Sequence, residues 1–291
     1  MIATPARRKD GTGAPVRQVE AQLGDKEFRR IAAILYQDSG IHLPDGKASL
    51  VYSRLAKRLR ALGLESFRDY CELIVSDAGV SERQAMLSAL TTNVTRFFRE
   101  PHHFTDLASQ FRTRWLDAAR RGGKVRIWSA GCSSGEEPYS IALTLLAEAP
   151  DAARFDIRIL ASDIDPKIVE KARAGVYSAE AVSPAPAAAR ERWMERLPNG
   201  DYGMGEEVRT LVAFRELNLM AAWPMKGPFQ VIFCRNVAIY FDEPTQERLW
   251  DRYGDLLAPD GRLYIGHSER VGSARFKTDG MTSYSLAGAC A

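Results

Sequence analysis

The chain has 291 residues, 26% of them charged and 45% apolar, which is ordinary for a globular protein and enough for one large domain plus a smaller one. Its net charge of +3 makes no demand for a nucleic-acid partner, so any basic surface has to be local. No apolar run is long enough to span a bilayer, no secretory h-region is present, and four cysteines (Cys71, Cys132, Cys234, Cys290) without CxxC spacing imply neither a disulfide framework nor a metal site but a reducing cytosol.

In chain order, the tail 1–23 carries Arg7, Arg8 and Lys9 and almost no large apolar residue, which predicts no fixed structure; Asp10 and Glu20 weaken a transit-peptide reading. From Asp25 to about Leu90 the apolar period is helical, with Phe28, Ile31, Ala32 and Leu35 setting the first segment. Pro44-Asp45-Gly46 breaks the chain, Lys47–Leu62 makes the next helix, closed by Gly63, and further helices start at Ser66 and Ser81. A helical domain over 24–90 follows. On Lys47–Leu62 the residues Val51, Leu55, Leu59 and Leu62 share one arc. Lys47, Arg54 and Arg58, flanked by Lys57, form an adjacent basic stripe with few acidic partners in the same helix. Residues 91–101, TTNVTRFFREP, read as a linker too aromatic to be mere spacer, and His103–Arg121 as a helix.

At Val125 the pattern changes to alternating strands and helices, which predicts a mostly parallel sheet. Strands are expected at Val125–Trp128, Ile157–Ala161, Val212–Glu216, Phe229–Cys234 and Gly261–Ile265, with a helix over Glu243–Leu257. The alternation lapses between Gly175 and Leu211, where prolines and glycines punctuate short polar strands and a helix over Ala187–Arg196. That stretch reads as an insertion on the α/β core, about 175–213.

The run VRIWSAGCSSGEEPYS at 125–140 carries the chemistry. A strand, a small-residue turn including Gly131 and a helix start at Glu136 make the nucleotide-cradling opening of a Rossmann-like unit. Glu136 and Glu137 repel a pyrophosphate and suit a cation, such as the sulfonium and ammonium of S-adenosylmethionine. The second strand ends in Ser162-Asp163-Ile164-Asp165, where an acid can hold ribose hydroxyls. Arg235, Asn236 and Tyr240, beyond a later strand, fall on the same rim, as does Asn218-Leu219, whose amide can read an adenine edge or merely cap a turn. Cys132 and Cys234 read as packing residues, the four histidines (His42, His102, His103, His267) show no ligand spacing, and His267-Ser268-Glu269 is a pocket edge or an ordinary loop.

Together Asn93–Glu100, Trp128–Ser140, Ala161–Asp165, Phe214–Leu219, Val231–Asp242 and Gly266–Glu269 resemble, in order, the chemotaxis receptor methyltransferase (CheR) family. The departures are mild, Val94 for a commoner leucine and Ala238 for a larger apolar residue. The resemblance implies an α/β fold: a Rossmann-like class I methyltransferase domain over 102–291 with a small inserted β-subdomain, preceded by an all-α N-terminal domain. It implies methyl transfer from S-adenosylmethionine to chemoreceptor glutamates, giving γ-glutamyl methyl esters and S-adenosylhomocysteine, with no metal. It places cofactor contacts on Asn93, Thr95, Arg99, Glu137 (or its neighbour Glu136), Asp163, Asn218, Leu219, Arg235 and Asn236, and Arg99 and Tyr240 nearest the transferred methyl. It implies docking of the basic stripe on the acidic helical region of cytoplasmic chemoreceptor domains, in the cytoplasm at membrane receptor arrays and without membrane insertion. In some members the inserted subdomain grips a receptor C-terminal peptide. The competing readings are a nucleic-acid methyltransferase, against which CRNVAIYF at 234–241 offers no proline or paired acid, and a non-catalytic S-adenosylmethionine sensor, against which Arg99 and Tyr240 speak.

Overall fold

A computed structural model describes residues 22–288. The expectation for the tail 1–23 therefore rests almost wholly on residues outside the described ones, as does Cys290.

Four helices make the N-terminal bundle: α1 (Asp25–Ser39), α2 (Ala48–Leu62), α3 (Phe67–Val75) and α4 (Val80–Leu90). Their ends are set locally. Gly40 and Gly63 close α1 and α2 in the left-handed conformation, and the Ser66 hydroxyl caps α3 by accepting the Asp69 N–H at 3.1 Å. Ile31, Leu35, Val51, Leu55, Tyr70 and Ile74 are fully enclosed between the helices.

The basic stripe of α2 is not the open surface that its own helix suggests. Glu82 of α4, which is buried, receives the Arg58 guanidinium and the Tyr70 hydroxyl (2.9 Å). Arg54 reaches the end of α4 and bonds its last carbonyls. Only Lys47 and Lys57 of the four remain exposed. The neutralising groups sit on another helix, where a wheel of α2 cannot show them.

A long helical rod, α5 (Pro101–Gln110), a π turn (Phe111–Trp115) and α6 (Leu116–Arg120), leads into the second domain. There β1 (Val125–Ala130), α7 (Glu136–Glu148), β2 (Ile157–Asp163) and α8 (Pro166–Ala174) alternate as expected. The insertion holds β3 (Val176–Tyr177), α9 (Ala179–Val182), α10 (Ala187–Trp193), β4 (Met194–Arg196), β5 (Tyr202–Met204) and α11 (Glu206–Leu211). The core resumes with β6 (Val212–Glu216), β7 (Phe229–Cys234), α12 (Glu243–Leu256) and β8 (Leu257–Ile265). It closes with a hairpin of β9 (Phe276–Gly280) and β10 (Ser283–Leu286).

The main sheet has the order β6-β2-β1-β7-β8-β10-β9, with its first five strands parallel and the hairpin antiparallel. The strand order reverses at β1. Successive residues of β1 feed opposite cores: Ile127 joins the face covered by α5 and α7, Trp128 the face covered by α12. β3, β5 and β4 form a separate three-stranded antiparallel sheet. The helix expected over Ala187–Arg196 stops at Trp193, because Met194 is buried and pairs with Met204 in that sheet.

Replacing Glu82 by Ala leaves the Arg58 charge and the Tyr70 hydroxyl without their acceptor. We expect a loss of about 2–3 kcal/mol in urea unfolding, against little change for Arg60→Ala on the exposed side of α2.

Candidate active site

The turn after β1 is fastened to the end of β2. The N–H groups of Gly131 and Cys132 donate to the Ser162 carbonyl (2.8 and 2.9 Å), and that of Ser133 donates to the Asp163 carboxylate at 2.9 Å. Gly131 has φ +80°, and a side chain there would press on Val237 of the loop after β7. The turn must therefore be small for two strand ends to meet. Beyond these ends, at the reversal of strand order, lies a cavity.

All eleven of the proposed cofactor and catalytic residues line this one cavity: Asn93, Thr95, Arg99, Gly131, Glu137, Asp163, Asn218, Leu219, Arg235, Asn236 and Tyr240. Of the adjacent acids, Glu137 faces the cavity. Glu136 turns away and accepts the Ser134 hydroxyl at 2.6 Å. The basic residues Lys47, Arg54, Lys57 and Arg58 do not line it.

Arg235 organises the wall. Its side chain is 2% exposed, yet it carries a full charge, paired with Glu137 at 3.2 Å and Glu100 at 3.5 Å and bonded to the Arg99 carbonyl. Glu137 also accepts the Ser129 hydroxyl at 2.7 Å. Burial pushes the Glu137 carboxyl up, and Arg235 and Ser129 pull it back only in part. Asp163 is likewise raised by burial, opposed by the N–H groups of Asp165 and Ser133. Burial also works to raise Glu100, but the His267 ring at 2.9 Å and Arg235 outweigh it and hold its carboxyl below the usual value.

Three groups that the sequence left unconnected shape the site. Glu269, buried, accepts the N–H groups of Gly266, Asn236, Val237 and Ile239, and so pins the loop that carries Asn236 and Tyr240. It does not line this cavity, but it is more than an ordinary loop residue. Asn236 sits there at φ +59°, a conformation that asparagine tolerates better than most residues. Ser39, the last residue of α1, and Ile41, just beyond it, wall the cavity from the helical domain. That domain is held down by the His42 N–H on the Tyr240 carbonyl (2.8 Å), Tyr36 on Asp242 (2.8 Å) and the Asn218 amide on the Asp38 carbonyl (2.6 Å). The Asn218 side chain also accepts the Met220 N–H at 2.9 Å, which leaves one of its N–H groups free of these bonds. Nothing in the local spelling of Ser39, Ile41 or Glu269 announces these contacts.

Among the described residues, Glu100, His102 and His103 bring donor atoms within 4.8 Å of one another, a grouping that the sequence spacing did not suggest. The positive charge facing Glu100 there is the Arg235 guanidinium. His103 is buried against Phe233 and Tyr264, with Nε2 on the Thr282 hydroxyl at 2.8 Å.

A doubly wound sheet with a cavity over its reversal point, between an acid-ended second strand and a glycine turn, is the fold of class I methyltransferases. Comparison with known families matches residues 26–91 to "CheR methyltransferase, all-alpha domain" and residues 93–285 to "CheR methyltransferase, SAM binding domain". The chain belongs to the CheR methyltransferase family. It is 53% identical over 257 residues to a probable chemotaxis protein methyltransferase of Rhizobium etli, covering 86% of this chain and 96% of that one. It is 44% identical over 270 residues to the chemotaxis protein methyltransferase of Escherichia coli, covering 91% and 92%.

Two outcomes follow from the geometry. Glu269→Gln sets an amide N–H₂ among four backbone donors, so we expect a loss of about 2 kcal/mol in urea unfolding. Burial, with Arg235 and His102 adding to it, pushes His103 down from 6.5 to about 3. Unfolded, the ring gains its proton near pH 6.5, so in that window the unfolded state binds more protons and stability falls as pH is lowered. Between about pH 7.5 and 5 this costs about 2 kcal/mol, and urea unfolding of His103→Phe should lack that share of the slope.

Proposed function

We propose that this protein transfers a methyl group from S-adenosylmethionine to glutamate side-chain carboxylates of chemoreceptors, giving glutamate methyl esters and S-adenosylhomocysteine. The observation that carries this reading is the convergence of Asn93, Arg99, Glu137, Asp163, Arg235 and Tyr240 on one cavity at the switch point of the sheet. Membership of the family supports it, as do relatives described as chemotaxis protein methyltransferases.

The residues present fit such a cofactor. The Asp163 oxygens each accept one backbone N–H, and a carboxylate offers further lone pairs for ribose hydroxyls. Glu137 supplies a negative charge for an ammonium. Arg235 keeps a buried Nε–H without a partner, a donor for the carboxylate of the methionyl group. Asn218 has an N–H left for an adenine edge, with Leu219 to pack on its face. S-adenosylmethionine supplies an electrophilic methyl on a sulfonium.

The chain itself has little acid–base work to do. A glutamate, with a reference pKa of about 4.3, is already ionised near neutral pH and needs no general base. Arg99, half-exposed at the cavity, steers and orients the incoming carboxylate, and the Tyr240 hydroxyl positions it. The wall formed by Ser39 and Ile41 keeps water from one side, which favours a reaction that merges opposite charges. Positioning of this kind supplies roughly 7–11 kcal/mol in favourable cases. The exposed Lys47 and Lys57 of α2 meet the acidic receptor helices, in the cytoplasm at receptor arrays. Among the described residues no helix is long and apolar enough to cross a membrane.

Arg99→Ala should lower kcat for methylation of a receptor cytoplasmic fragment by about a hundredfold, and Tyr240→Phe by about tenfold. Steady-state assays with labelled methyl donor check both. Unchanged turnover in Arg99→Ala would remove the assignment.

A further inference from the structure

Leu90, Thr91, Thr92 and Asn93 line the cavity, yet beyond Leu90 the chain has no regular secondary structure to hold it. Arg54 holds it. Its Nη1 donates to the carbonyls of Ala89 (3.3 Å), Leu90 (2.7 Å) and Thr91 (2.8 Å), and its Nη2 to the Thr92 hydroxyl at 2.9 Å. The last carbonyls of a helix lack intrahelical partners and carry its negative end, so a cation there is stabilised twice over. A guanidinium presents five donors in a rigid fork, which a lysine ammonium does not match.

The far side of the same segment is fixed by the cofactor turn. The Ser133 hydroxyl donates to the Asn93 carbonyl at 2.9 Å, and Ser88 of α4 donates to Asp165 at 2.8 Å. The strip from Leu90 to Asn93 is thus held between an arginine of the helical domain and the β1 turn of the other. Remove Arg54, and one anchor of the strip is lost together with the cap of α4.

We infer that Arg54 is a positioning residue of the cofactor cavity, and that it acts through the Leu90–Asn93 strip. The inference rests on the reading of this cavity as the S-adenosylmethionine site. A docking charge changes receptor KM and its salt dependence, whereas a cavity anchor changes cofactor affinity with no receptor present.

The test is calorimetric titration of the full chain with S-adenosylmethionine, without receptor. Arg54→Ala should raise Kd by about fivefold or more, Arg54→Lys should recover part of the loss, and Arg60→Ala, which removes the same charge from α2, should stay within about twofold. An Arg54→Ala Kd within about twofold of the parent would overturn the proposal. Should Arg54→Ala fail to give a cooperative thermal melt, Arg54→Lys and Thr92→Val, which removes one acceptor only, decide in its place. A parent protein that binds no S-adenosylmethionine would instead refute the reading of the cavity, an outcome plainly distinct from normal binding by both parent and variant.

Discussion

The buried guanidinium of Arg235 is the constraint on which the site depends. A full charge withdrawn from water is tolerable only when other groups come to it, and here three segments do. Glu137 comes from the first turn of α7, Glu100 and the Arg99 carbonyl from the linker, and Phe104 of α5 lies under the guanidinium at 5.7 Å. The linker that bears Asn93, Thr95 and Arg99 is thereby tied to the end of β7 and to the helix that follows the glycine turn. Arg235 therefore serves the architecture of the cavity whether or not a carboxylate ligand also reaches it.

A second constraint works from outside the sheet. The helical domain supplies one wall through Ser39 and Ile41 and grips the loop after β7 through His42 and Tyr36. Three backbone N–H groups of that loop, those of Asn236, Val237 and Ile239, are also held by the Glu269 carboxylate. The rim that carries Asn236 and Tyr240 is thus fixed between two domains. Its left-handed turn at Asn236 survives because the surroundings determine it.

Much of this was legible in the chain, for a physical reason. Parallel strands buried on both faces read as short apolar runs, and the turn after β1 must be small because β2 and Val237 crowd it, so the α/β core and its switch point could be read locally. The wall at Ser39 and Ile41, the Glu269 clamp and the pairing of Arg58 with Glu82 could not, since each joins residues far apart in sequence. The basic stripe of α2 shows the limit most clearly: its periodicity is real, but two of its charges answer to α4. The C-terminal hairpin went unread because Lys277, Thr278 and Asp279 are polar and exposed, and the buried alternation of β10 rests on Ser283 and Ser285.

The most direct measurement is transfer of labelled methyl from S-adenosylmethionine to a purified chemoreceptor cytoplasmic fragment, followed by mild alkali. Label on the receptor that alkali releases as methanol, the signature of a carboxyl methyl ester, is the expected result. Label that resists alkali, or no transfer to any receptor fragment despite tight cofactor binding, would contradict the proposed reaction.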